Sequence, residues 1–321
     1  MRPRAHRGFT IVEVLVVLGV IVLLVGLLAV GLQTAARSAN KTKELNTARQ
    51  LGMAWQQYSS TYEDQLLPGW IEPAVQTAWK VKYKDAAGTT LPAEACRTYP
   101  WRLLPFLSFD FPTLYDYLEQ EEPNWNAAVS TVADNPSFGL NAYYVGGWWE
   151  PLQGDPGLPV TGRPVFANAA FNDRDGRELR GRLVTRSLSS IRRPSELVVF
   201  ASSGYREPGF YKERATPYEP GAAWAVPPRL GSEQVWELSY GDEFQELTTG
   251  SGMLLSSAVA GIRVFEAQAV PMARHNVSIA TVRADVSTDA SGLNQLMELT
   301  RWIDVAGEGA GSAVQFVHTD E

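Results

Sequence analysis

Four groups of residues have the types and spacing to do chemistry. Glu13 is a carboxylate at the head of an apolar run, and no further charge follows from Val14 to Ala36. A carboxylate at that place calls for a counter-charge. His275 and Asp285, with nine residues between them, could form an imidazole–carboxylate pair across a hairpin. Residues 172–178 carry Asp173, Asp175 and Glu178 around Gly176, the outline of a calcium loop. Trp148 and Trp149 follow Gly146 and Gly147 and precede Pro151. That places paired aromatics at a turn, where they could stack on a sugar or on a partner protein.

Each group has a plainer reading that stays open. His275 could start a strand and Asp285 end it without touching. The 172–178 segment lacks the third donor and the distant bidentate glutamate of an EF-hand, and Arg174, Arg177 and Arg180 crowd it. A solvated loop with no metal fits it as well. The tryptophans could fill the core beneath long loops. Glu13 alone could reach the headgroups as an isolated edge carboxylate.

Composition narrows the chemistry. The 321 residues include three histidines and a single cysteine, Cys96. One thiol makes neither an internal disulfide nor a thiolate cluster. Catalysis at His275 and Asp285 would need a nucleophile or a metal beside them, and the sequence offers no second ligand cluster. The chain therefore reads as no enzyme and implies no cofactor, calcium being the one candidate. Its formal charge of −7 leaves no basic surplus for a phosphate backbone, so nucleic acid is not a partner. With 45% apolar residues the chain can bury a core.

The elements that would hold these groups follow from hydropathy. The 23 uncharged residues from Val14 to Ala36 make a helix of roughly 34 Å, enough to cross a bilayer. Arg2, Arg4 and Arg7 precede it; Arg37, Lys41, Lys43 and Arg49 follow it, offset by Glu44. The count of positive charges does not orient the span. A signal peptide would have a shorter apolar core and no Glu13 inside it. Beyond the span, Leu45, Ala48, Leu51, Trp55, Tyr58 and Tyr62 recur at spacings of three and four, so the helix continues with one buried face. It ends near Asp64, before Pro68-Gly69. The remainder is rich in turns, with no repeat and no linker, and reads as one head. Residues 101–107 and 113–120 read as short helices. Residues 137–149, 196–202, 235–240, 262–267 and 277–285 read as strands. The whole is α+β: a long helix packed on an antiparallel sheet.

The segment Arg7-Gly8-Phe9-Thr10-Ile11-Val12-Glu13-Val14-Leu15 resembles the leader and start of type IV pilins and type II secretion pseudopilins. The resemblance implies a leader of residues 1–8, cut after Gly8 by a prepilin peptidase, and N-methylation of Phe9. It implies a helix over 9–64, with a membrane half (9–36) and an amphipathic half (37–64), and a globular head over 65–321. Glu13 becomes the assembly residue, pairing with the Phe9 ammonium of a neighbouring subunit so that two costly charges cancel. The partners implied are prepilin peptidase, other pilin subunits and the membrane. The location implied is the bacterial inner membrane, single-pass, with a cytoplasmic N-terminus and a periplasmic head. The function implied is that of a structural subunit, minor or specialised, of a type IV pilus or a pseudopilus. The alternative is an anchored module that binds polysaccharide or protein and forms no filament.

The head resembles large pilin-like proteins of the planctomycete and verrucomicrobial type, with their His-x9-Asp-Gly mark. The matching residues are Trp101 to Leu107 including Pro105, Ser137-Phe138-Gly139-Leu140-Asn141, Pro194-Ser195 before an apolar strand, and Arg274-His275 with Asp285. Val286 stands where that pattern has glycine.

Overall fold

The computed structural model describes residues 11–115, 129–152, 161–165, 170–172, 178–180, 183–206, 219–230, 233–234, 268–274, 278–296, 298–304 and 315–317. In chain order these form helix α1 (Ile11–Thr61), strand β1 (Trp70–Ile71), helix α2 (Pro73–Trp79) and the short helices α3 (Pro100–Leu103) and α4 (Val129–Asp134). Strands β2 (Phe138–Leu140), β3 (Trp148–Leu152), β4 (Thr161–Pro164), β5 (Ala170–Asn172), β6 (Glu178–Arg180) and β7 (Val198–Arg206) follow. Next come β8 (Glu219–Pro220), β9 (Arg229–Leu230), β10 (Glu233–Gln234), β11 (Gln268–Pro271), β12 (Ile279–Arg283) and β13 (Thr288–Ser291). Helix α5 (Leu293–Leu296) and strand β14 (Gln315–Val317) close the chain. The class is α+β. The chain divides into two compact units, residues 1–43 and 44–321.

The first unit holds the apolar half of α1. Its large side chains, among them Ile11, Leu15, Leu18, Ile21, Leu24 and Leu28, are all exposed. Burying each such side chain is worth about 1.5–3 kcal/mol, so this surface demands lipid or other helices around it. The helix has the length and composition to span a membrane.

The second unit is built on β7. Its first residues, Val198 to Ala201, are wholly buried. The strand is long enough to take two antiparallel partners over its first half, β2 and β12, and two over its second, β8 and β11. β12 carries β13 on its other side. Ala48, Leu51, Ala54, Trp55 and Tyr58 of α1 join the same core, at the helical spacing that the sequence displays. Contact with the β12–β13 hairpin is close because position 52 is glycine. A Cβ there would lie 2.6 Å from Val282 Cγ1 and 3.3 Å from Val286 Cγ1. Gln56 Nε2 donates to the Ala284 carbonyl at 3.0 Å in the same contact. Helix α1 ends at Thr61, slightly short of Asp64, because Glu63 and Asp64 turn to positive φ. The Asp64 carboxylate then accepts from Ser187 Oγ, Ser189 Oγ and the Ser189 N–H, and these bonds hold its pKa below the usual carboxylate range.

Two expectations need correction. Residues 137–149 are not one strand but β2 and β3 with a turn between them. Gly146 and Gly147 both take positive φ, and a Cβ on Gly146 would fall 1.9 Å from the Leu67 carbonyl oxygen. The chain must bend where side chains cannot fit. Nor do residues 113–120 open as a helix: Phe111–Thr113 is a single 3₁₀ turn, and residues 116–120 lie outside the described residues. The expected strands over 235–240 and 262–267 also lie outside them.

Candidate functional site

Of the described head residues in the sequence motifs, Trp101, Gly139, Asn141 and Arg274 are buried, whereas Pro105 and Asp285 are exposed. Arg274, from the Arg-His mark, is the largest surprise. Its guanidinium meets the Glu44 carboxylate of α1 at 3.2 Å, and both side chains are only 1% exposed. It also donates to the Ser137 carbonyl and lies over the Phe138 ring, 4.9 Å from its centroid. Arg274 thus ties α1 to the strand that begins at Phe138. His275 lies outside the described residues. Asp285 is exposed in the β12–β13 turn, where its carboxylate accepts from Ser287 N–H at 2.9 Å and from Ser287 Oγ. That is an Asx-type turn closure. Val286 occupies it at φ 67°, the left-handed region that glycine would fill without strain. The turn forms with valine at that position.

Asn141 is buried and donates from Nδ2 to the carbonyls of Val198 (3.1 Å) and Trp302 (2.8 Å). It joins β7 to the segment after α5. Gly139 is required by packing: a Cβ would sit 2.4 Å from the Trp224 carbonyl carbon and oxygen. Both clash atoms are backbone, so Gly139→Ala is expected to lower the stability of the head by about 3 kcal/mol, read as a fall in thermal midpoint of the full chain in detergent. An unchanged midpoint would refute this account of the glycine. Trp101 is buried and donates to the Val129 carbonyl at 2.9 Å. Pro105 is exposed in the 3₁₀ turn that ends α3.

Arg102, inside the same segment, escaped the sequence reading. It is buried and donates to four carbonyls: Thr98 (2.9 Å), Pro68 (2.7 Å), Gly69 (3.1 Å) and Arg97 (3.0 Å). Its pattern signal was available, since it is a lone charge inside an apolar helical piece. Glu44 had a signal too. It stands four residues before Ala48, on the stripe that the helix buries.

Trp148 and Trp149 stand in strand β3, not in the turn before it, and neither is fully exposed. Strand alternation sends them to opposite sides. Trp148 is stacked between Trp70 (4.4 Å) and Tyr143 (4.7 Å) with rings nearly parallel. Trp149 meets Trp79 edge-on at 4.9 Å and donates to the Gly146 carbonyl. They are not one paired platform. Cys96 is buried, and burial pushes its thiol up to about 11, with the Arg102 charge pulling back. At pH 8 its alkylation by iodoacetamide is expected to be at least about a hundredfold slower in the folded chain than in urea, since the thiolate is the nucleophile. Because the folded pKa is the higher one, the associated stability is full below about pH 8.5 and drains away as pH climbs through the folded value. Fast native alkylation would contradict the burial.

At the other end, Glu13 lies in the first turn of α1 and is exposed among the apolar side chains. Gly8 and Phe9 lie outside the described residues. Residues 3–29 match the prokaryotic N-terminal methylation motif. The chain is type IV pilin-like at its N-terminus. Comparison with curated proteins and with solved structures gives no match. The match to a pilin-type motif covers the segment that holds Glu13 and most of the apolar half of α1; the head lies beyond it. The motif fits a prepilin-type precursor and points to a structural role, and among the described residues α1 is the one helix long and apolar enough to cross a membrane. Among the described residues no group of three or more His, Cys, Asp or Glu side chains is placed to hold a metal. Asp173 and Asp175 lie outside those residues, and Glu178 lies in β6.

Proposed function

We propose that this chain is a structural subunit, minor or specialised, of a type IV pilus or a type II secretion pseudopilus. Residues 1–8 are its leader, cut after Gly8 by prepilin peptidase, and Phe9 becomes the methylated N-terminus. The helix over 9–64 inserts with its start at the cytoplasmic face, and the head over 65–321 lies outside the cytoplasm. Glu13 is the assembly residue. It pairs with the Phe9 ammonium of a neighbour, and a subunit out of register leaves two charges unpaired in a low dielectric. One observation carries the reading: the methylation motif at residues 3–29 runs directly into a helix that exposes apolar side chains all round.

The test is the intact mass and N-terminal sequence of the chain co-expressed with a prepilin peptidase. A mature chain beginning at methylated Phe9 supports the reading. A chain still beginning at Met1 turns it into a plain anchored protein. A chain beginning near Leu32 means ordinary signal-peptide cleavage and overturns it.

A further inference from the structure

The head contains a cleft of about 940 Å³, inside the range of pockets that enclose small ligands. Its walls are the end of α1, the turn between α1 and β1, the end of α2, and the segment from Val184 to Arg192. Arg102 reaches its lining through the Pro68 carbonyl. Trp149, Trp79, Tyr62 and Tyr83 line it with ring surface. Tyr62 is 48% exposed and Trp79 36%, while Tyr62 also packs on Tyr58 at 4.5 Å and Trp79 meets Trp149 edge-on, so the exposed part of each ring is what an occupant would meet. Trp149 is held in place by its bond to the Gly146 carbonyl, which spares the ordering cost that a mobile platform incurs on binding.

The charges in the cleft are lopsided. Lys82, Arg186 and Arg192 line it and are exposed, and none pairs with a carboxylate among the described residues. The one carboxylate in the lining is Asp304, which is buried and already accepts from the backbone N–H groups of Arg192 and Arg193 at 2.9 Å. Asp64, just outside, is occupied by Ser187 and Ser189. A chain of formal charge −7 thus presents a cationic hollow paved with aromatics.

We infer that this cleft binds an acidic oligosaccharide, one whose sugar rings carry carboxylates. Flat sugar faces lie on the indole and phenol rings, while the carboxylates meet Arg186, Arg192 and Lys82 in charge-assisted bonds. Hydroxyls find partners in Gln65, Ser190 and Thr185. An acidic peptide would satisfy the cations but has no ring faces for the aromatics. The inference goes beyond the assembly role and does not depend on it.

Calorimetric titration of the full chain in detergent micelles with tetragalacturonate is the test, with cellotetraose and a short polyglutamate as comparisons. Tetragalacturonate binding is expected to exceed that of cellotetraose by about tenfold or more and to weaken as salt rises. The double variant Lys82→Glu/Arg186→Glu, at two exposed positions, should lose at least about tenfold in affinity with an unchanged thermal midpoint. Lys82→Arg/Arg186→Lys should keep it. Equal affinity for the acidic and neutral tetrasaccharides overturns the inference. So does polyglutamate binding as tightly as tetragalacturonate, which would make the site a peptide cleft. Undiminished binding in the double variant, or no binding of tetragalacturonate at all, overturns it as well.

Discussion

Arg274→Met is expected to destabilise the head by about 3–5 kcal/mol, because it strands the buried Glu44 carboxylate without its counter-charge. The two side chains are each 1% exposed and 3.2 Å apart, so no water is at hand to compensate the survivor. The partner substitution Glu44→Leu should cost about as much for the mirror reason: a guanidinium left among Phe138, Tyr99 and the sheet. The double variant Arg274→Met/Glu44→Leu is expected to recover most of the loss, since replacing both members of a buried pair by apolar side chains is often near neutral. Full recovery is not expected. Arg274 also serves the Ser137 carbonyl and the Phe138 ring; the carbonyl keeps the Ser203 N–H at 3.1 Å, so what the double variant forgoes is one charge-assisted hydrogen bond, worth about 1.5–3 kcal/mol, and the ring contact. Urea unfolding followed by tryptophan fluorescence gives the cycle directly. Single losses that simply add in the double variant would show that the two charges do not depend on each other.

Glu13→Ala is expected to leave processing intact and to remove the chain from filaments. In the proposed processing the peptidase reads the residues around Gly8 and Phe9, and the helix remains long and apolar enough to insert without the carboxylate; losing it even eases insertion. Assembly differs, because in the proposed filament the Glu13 charge pairs with the Phe9 ammonium of a neighbour. Truncating one member of a buried charge pair at an interface costs about 2–5 kcal/mol per contact, hence at least about tenfold in incorporation. Glu13→Gln should behave like the alanine variant, since it keeps the shape and loses the charge. The measurement is the fraction of processed chain recovered in sheared filaments beside the wild type. Incorporation at the wild-type level would remove Glu13 from the assembly step and leave the helix surface as the whole of the adhesion.

The parts of the fold written in local periodicity were readable. Helix α1 declared itself twice, first by an uncharged run and then by apolar residues at spacings of three and four. Strands β7 and β12 were visible in outline as runs at 196–202 and 277–285, but β7 runs on to Arg206 and β12 covers only Ile279–Arg283. The buried charges were not visible, although each left a trace. Glu44 sits in register with the buried stripe of α1, but its partner is more than two hundred residues downstream, and no local pattern connects them. Arg102 looks like an ordinary surface arginine until the carbonyls of residues 68 and 69 are seen converging on it. Trp148 and Trp149 were readable as a pair but not as two residues serving opposite sides of a strand. The glycines before them set where that strand begins. The Asp285 turn forms with Val286 in the left-handed region, its side chain lying beside Gly52 of α1.

The wiring of β7 has a kinetic meaning. Its partners come from residues 138–140 and from 279–283, and the bond from Gln56 to Ala284 closes a separation of 228 residues. Rates of folding fall as such long-range closures accumulate. During synthesis from the N-terminus, Tyr58 of α1 meets Phe106 early, but Glu44 and the face around Gly52 and Gln56 wait for residues 274–286 before those partners exist. Until the β12–β13 hairpin arrives, the chain is a completed apolar helix joined to an unfinished head. In that interval the stripe is sticky, and a holding factor would have the most to do.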